Sequence, residues 1–287
     1  MSEAAEGLVE LPAGRFRVLE WPGSEPAAVF LHGLTGVAEV WGPTVEALGS
    51  GRPRCIAIDQ RGHGQSAKPP SGYGIASYVA DAVDLCRILG LDRPHLVGHS
   101  MGARVAIVLA ARHPAAIRSV AIVDIGPEQW KANWQQTVAG LDRMPASYTD
   151  AESAIGNAAR ARPGSSVDAA FGRPGAEALR GIALARLKTN PDGSVSWLAD
   201  REALKKTVVS HRGRNYWAEW EAVAVPALFI RGGDSNEVRP RVAAEMRRRN
   251  TKVACEEFPG VGHNIPLLAP ARLADSLRAF WATVDHR

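Results

Sequence analysis

Apolar residues are grouped along the chain in two alternating patterns. Residues 8–20 read as two short strands joined at Pro12-Ala13-Gly14. Residues 27–32 (AAVFLH) and 55–59 (CIAID) are nearly continuous apolar runs, the pattern of strands covered on both faces. Between them, Val37, Val40, Trp41, Val45 and Leu48 predict a helix of about three turns. A second helix is predicted over 77–89, with Val79, Val83, Cys86 and Leu89 on its inner stripe and Gly90 as its stop. Strand 94–99 (PHLVGH) leads through Ser100 into helix 101–112, which Pro114 closes before strand 119–125 (SVAIVDI). This strand–helix rhythm predicts an α/β fold with a mostly parallel sheet and right-handed crossovers.

The rhythm stops at Asp124-Ile125-Gly126-Pro127 and resumes at strand 225–231 (VPALFIR). A helix near 238–249, strand 252–258 and a last helix over 270–284 complete it. Residues 128–222 have helical composition without a core-strand pattern. They hold Trp130, Trp134, Trp197, Trp217 and Trp220, five of the eight tryptophans. The expected organisation is a core made of residues 1–127 and 223–287, with a helical cap over 128–222 that shapes a pocket above the carboxyl ends of the strands.

Composition adds boundaries. The 287 residues, 46% hydrophobic and 22% charged, describe a globular chain with a sizeable core. The formal charge of +4 is modest and scattered, so nucleic acid is not an expected partner. Cys55, Cys86 and Cys255 have no ligand-like spacing, which argues against a disulfide framework or a thiolate zinc site. No His-Glu-x-x-His pattern is present, and no metal or other cofactor is expected. The N-terminal stretch lacks the signature of a signal peptide, and no apolar run is long enough to span a bilayer. The expectation is a cytoplasmic monomer or small homo-oligomer that acts on a small molecule, without a membrane.

Gly98-His99-Ser100-Met101-Gly102 carries the chemistry. A nucleophilic serine between a buried strand and a helix needs a sharp turn, and small residues two before and two after it let the strand and helix approach. The helix start offers free N–H groups to a developing anion. His32-Gly33-Leu34, at the end of an earlier strand, supplies a second loop; the N–H groups of Leu34 and Met101 are the expected oxyanion donors, and His32 is expected to be structural. His263, in the glycine loop Gly260 to Asn264, is the expected general base; His99 is expected to face away. Asp124 and Asp234 both follow strands from which a carboxylate can reach the remote nitrogen of His263. Asp124, apolar on its upstream side, needs a partner and is taken as the acid, with Asp234 as the alternative. Trp130, Arg61, Arg104, Arg231 and Tyr216 are the candidate substrate contacts; one of the three arginines is a candidate reader of a substrate carboxylate, while most of them are expected to make salt bridges or face solvent.

These motifs resemble the α/β-hydrolase superfamily over nearly the whole chain, from Leu8 to the final helix. The turn Asp59-Gln60-Arg61-Gly62-His63-Gly64-Gln65-Ser66 is similar to that superfamily's loop after its fourth strand. Val123-Asp124-Ile125-Gly126-Pro127, taken with Phe229 to Ser235, resembles a branch of small esterases, abhydrolase-domain-11 proteins and acetamidomethylene-succinate hydrolase. The resemblance implies an eight-stranded α/β-hydrolase fold with an inserted cap. Its usual acid site falls on Ser235, and in this branch the acid moves to the position of Asp124. The implied activity is cleavage of a small carboxylic ester through Ser100 as nucleophile. A carbon–carbon bond hydrolase, a lactonase or amide hydrolase, a cofactor-free haloperoxidase and a hydrolase-like ligand receptor are the alternatives. The serine argues against dehalogenases and epoxide hydrolases of this fold, whose nucleophile is usually an aspartate.

Overall fold

The computed structural model describes residues 4–128, 133–160 and 176–286. It opens with the hairpin β1 (Ala5–Leu11) and β2 (Gly14–Trp21), followed by β3 (Ser24–Leu31), α1 (Gly42–Leu48) and β4 (Pro53–Ile58). Then come α2 (Ile75–Ile88), β5 (His95–His99), α3 (Met101–Arg112) and β6 (Ser119–Val123). The intervening segment contains α4 (Asn133–Asp142), α5 (Ala151–Arg160), α6 (Ala176–Leu184), β7 (Leu187–Thr189), β8 (Val195–Trp197), α7 (Arg201–Ser210) and α8 (Trp217–Ala222). The chain closes with β9 (Ala227–Gly232), α9 (Pro240–Arg249), β10 (Ala254–Phe258), α10 (Ile265–Leu268) and α11 (Pro270–Asp285).

Eight strands form one sheet in the order β1-β2-β4-β3-β5-β6-β9-β10. The pairings from β4 to β10 are parallel, and β2 pairs antiparallel with both its neighbours. Strand alternation divides the core into two layers. Val29, Leu31, Ile56, Ile58, Leu96, Val120 and Ile122 pack with α2, α3, α8 and α9 on one face. Ala28, Phe30, Cys55, Ala57, Val97, Ala121 and Val123 pack with α1 and α11 on the other. Burial on both faces is why these strands read as apolar runs rather than alternating ones.

Three local expectations change. The first predicted helix splits into a 3-10 turn over Ala38–Trp41 and the short α1, because Pro43 fits only a helix's first turn. The segment expected to be helical also holds the β7–β8 hairpin, whose three-residue strands leave no apolar run to detect. Finally, α8 falls within the expected cap but packs into the core. Trp220 is fully buried, donates from Nε1 to the Met246 carbonyl at 2.9 Å and sets its ring edge-on to Phe229. No helix among the described residues is long and apolar enough to cross a membrane.

Candidate active site

The carboxyl ends of β3, β5, β6 and β9 converge on one cluster. Ser100 sits between β5 and α3 with φ 55° and ψ −117°. Among the described residues four non-glycines have positive φ, and Thr35, Ser100 and Asp124 are three of them. Backbone of this kind costs on the order of 1–3 kcal/mol per residue and persists only where packing imposes it. The packing is visible at the two glycines of the pentapeptide. A Cβ on Gly98 would lie 2.3 Å from the Gly102 carbonyl oxygen, and one on Gly102 would lie 2.2 Å from the Leu31 carbonyl oxygen. Strand and helix therefore touch backbone to backbone around Ser100.

His263 reaches this elbow from the loop before α10. Its Nε2 lies 2.9 Å from Ser100 Oγ, and its Nδ1 lies 2.7 Å from Asp124 Oδ2. A carboxylate only accepts, so Nδ1–H donates to Asp124 and the bare Nε2 accepts the Ser100 hydroxyl proton. Asp124 is fully buried, and its Oδ1 accepts the Gly232 N–H at 2.8 Å. The Ser235 hydroxyl donates to Asp124 Oδ2 and accepts the Glu237 N–H. Asp234, the alternative acid, is solvent-exposed, and its backbone N–H is held by the Val261 carbonyl.

His99, expected to face away beside the serine, instead turns its ring toward His263. Burial drives its pKa down to about 3, so the ring is neutral. Its Nε2–H donates to the His263 carbonyl at 2.8 Å, and the two rings lie 4.8 Å apart. The residue before Ser100 thus holds the backbone of the imidazole that faces it. His32 is structural, as expected. Its Nδ1–H donates to the Gly33 carbonyl at 2.8 Å, its Nε2 accepts the Gln60 N–H at 3.0 Å, and Gln60 Nε2 returns a bond to the His32 carbonyl.

That clamp fixes the loop holding Leu34. The loop closes by a Gly36 N–H to Gly33 carbonyl bond, and a Cβ on Gly33 would come within 3.0 Å of Ser100 Cβ. Met101 is the first residue of α3, where backbone N–H groups have no partner within the helix. Among the described residues no three His, Cys, Asp or Glu side chains converge as a metal-binding group.

The expected substrate arginines separate. Arg61 makes a bidentate pair with Asp81, both contacts at 2.6 Å, and donates to the Gly72 carbonyl. Arg231 binds Glu257 at 2.8 Å and the Val238 and Gly233 carbonyls. Both guanidinium groups are thus engaged within the fold. Arg104 and Tyr216 lie together, with the guanidinium carbon 5.7 Å from the ring centre. Trp130 lies outside the described residues. Trp134 stacks under Arg212 and Trp197 meets Tyr148 edge-on. Sequence reasoning missed Ser235 as a partner of Asp124, His99 as a partner of His263, and the Gln60–His32 clamp. The first had a signal, since Ser235 occupies the usual acid position of the resembled superfamily.

The family model described as alpha/beta hydrolase fold matches residues 26–270. The chain belongs to this family. It is 30% identical over 249 residues to 2-(acetamidomethylene)succinate hydrolase of Mesorhizobium japonicum, covering 86% of this chain and 85% of that protein. It is 28% identical over 272 residues to the sn-1-specific diacylglycerol lipase ABHD11 of Mus musculus, covering 93% and 84%. Among solved structures, that of E-2-(acetamidomethylene)succinate hydrolase superposes with a TM-score of 0.86 at 27% identity, covering 97% of this chain and 99% of the other.

Proposed function

We propose that this α/β-hydrolase cleaves a small carboxylic ester through an acyl-enzyme on Ser100, beneath a cap formed within residues 128–222. The observation that carries the reading is the unbroken hydrogen-bond chain from Ser100 through His263 to the buried Asp124. The names of two relatives support the reading in different ways. One is named a diacylglycerol lipase, which supports ester cleavage, and the other a hydrolase of 2-(acetamidomethylene)succinate, which supports a second reading as an amide-type hydrolase.

His263 Nε2 takes the hydroxyl proton as Ser100 Oγ attacks the carbonyl carbon. The electron pair of the carbonyl moves to its oxygen, which accepts from the N–H groups of Leu34 and Met101. Asp124 holds the imidazole in the Nδ1–H tautomer and stabilises the imidazolium. Collapse of the intermediate breaks the bond to the leaving group, which takes the proton from Nε2. Water, deprotonated by the same nitrogen, then attacks the acyl-enzyme, releases the acid and returns the proton to Ser100.

The test is covalent. A fluorophosphonate is expected to label Ser100 in the wild type and to leave Ser100→Ala unlabelled, with mass spectrometry locating the adduct. Burst release of p-nitrophenol from p-nitrophenyl acetate is expected to match the labelled fraction. Equal steady turnover by Ser100→Ala would remove the acyl-enzyme from the mechanism.

A further inference from the structure

The two crossings between the core and the inserted segment meet beside α3. Glu128 and Asn215 form an antiparallel bridge, and the Tyr216 N–H donates to the Pro127 carbonyl at 2.8 Å. Under this junction lies Arg104, one helical turn beyond Ser100, whose carbonyl accepts the Arg104 N–H. Arg104 is 7% exposed. Its Nε has no hydrogen-bond partner, and its Nη2 makes one long contact, 3.4 Å to the Gly126 carbonyl. No carboxylate among the described residues lies at ion-pair distance; the Tyr216 ring centre lies 5.7 Å from the guanidinium carbon, and Glu237 acts on the group without pairing with it. Burial accordingly pulls its pKa below the usual arginine value.

A second unpaired nitrogen lies in the same cluster. His211 is 3% exposed, and its Nδ1 is 2.9 Å from the Tyr216 hydroxyl. Burial and the charges of Arg104 and Arg214 hold it neutral, with a pKa of about 3. With the phenol donating to Nδ1, the His211 Nε2–H is a buried donor without an acceptor. A buried guanidinium that lacks a carboxylate is expensive, and so is an unpaired N–H. Arg61 and Arg231, buried to a similar degree, both have internal carboxylates.

We propose that Arg104, with Tyr216 and His211, forms an anion-accepting wall of the Ser100 site, and that the substrate is an ester bearing a second, free carboxylate that pairs with Arg104. This rests on the serine hydrolase reading above and names its substrate class. The side-on edge made by Nε and Nη2 matches a planar carboxylate in two parallel bonds. Arg104 follows Ser100 by one helical turn, its N–H bonded to the Ser100 carbonyl at 3.1 Å, and a short diacid monoester is therefore the probe chosen.

The experiment compares monomethyl succinate with methyl butyrate, which differ by a terminal carboxylate in place of a methyl group. Hydrolysis is followed in a pH-stat, and succinate binding by calorimetry, for the wild type, Arg104→Lys and Arg104→Met. The wild type is expected to favour monomethyl succinate at least about tenfold in kcat/KM. That ratio is expected to approach one in Arg104→Met and to fall several-fold in Arg104→Lys, which keeps the charge but loses the fork. Succinate is expected to bind the wild type and to bind both variants about tenfold or more weakly. If Arg104→Met fails to fold, Arg104→Lys decides. A wild-type ratio near one, a ratio unchanged by the variants, or tighter binding of inorganic phosphate than of succinate overturns the proposal. If neither ester is hydrolysed and the fluorophosphonate leaves Ser100 unlabelled, the hydrolase reading is what fails. Calorimetry then decides the anion site by itself: succinate binding lost in Arg104→Lys supports it, and no binding to the wild type ends it.

Discussion

Ser235 donates its hydroxyl proton to Asp124 Oδ2, the same carboxylate oxygen that receives the Nδ1–H of His263. One oxygen therefore serves two donors, while Oδ1 is held by the Gly232 backbone. The Asp124 carboxylate has little freedom to rotate, and the imidazole above it inherits that orientation. Ser235→Ala is expected to lower kcat roughly tenfold to a hundredfold with KM nearly unchanged, the range for a lost hydrogen bond to a charged group. Ser235→Thr is expected to retain most of the rate. Wild-type kcat in Ser235→Ala would make the hydroxyl a bystander.

The proposed acid is tested by a pair of substitutions. Asp124→Asn keeps the shape but favours the wrong imidazole tautomer, and kcat is expected to drop by roughly three to four orders of magnitude. Asp234 is exposed, and among the described residues His263 pairs with Asp124 rather than with it, so Asp234→Asn is expected to stay within about twofold of wild type. Steady-state ester kinetics with both variants decide between them; the reverse ranking would move the acid to Asp234.

Burial of neutral histidines makes stability depend on pH. His63 is held at about 4, and His99 and His211 at about 3, each by desolvation above all. As pH falls below about 6.5, the unfolded chain binds protons that the folded chain still refuses. Stability is therefore full above that pH and declines toward pH 4, by roughly 1.4 kcal/mol per pH unit for each such histidine. Urea midpoints measured from pH 7.5 to 4.5 are expected to fall steeply. A flat profile would show that these rings become protonated without unfolding.

The turn at Ser100 should tolerate no side chain at its second glycine. A Cβ at Gly102 meets the Leu31 carbonyl oxygen at 2.2 Å, and Gly102→Ala is expected to cost about 2 kcal/mol or more. Gly140 lies in α4 with nothing within 4 Å of a built Cβ. Gly140→Ala is expected to stabilise by a few tenths to about 1 kcal/mol. Urea unfolding of the two variants gives opposite signs if this contrast holds, and equal midpoints would contradict it.

The strand runs and the Gly98 to Gly102 pentapeptide were legible before any coordinates, because a strand buried on both faces must be apolar throughout and a crowded turn must be small. The same logic points to Ser100 and His263, and together with the family resemblance to Asp124; the structure joins the three by hydrogen bonds. What local pattern could not carry was contact between segments far apart in the chain. Ser235 meets Asp124 across 111 positions and His99 meets the His263 carbonyl across 164. Nor did composition separate Arg104 from Arg61 and Arg231. All three are cations near the ends of core elements, and only packing shows that two have found carboxylates while the third is buried without one. Short-range periodicity and steric demand are written residue by residue; hydrogen-bond partnership and desolvation depend on which surfaces meet when the sheet closes.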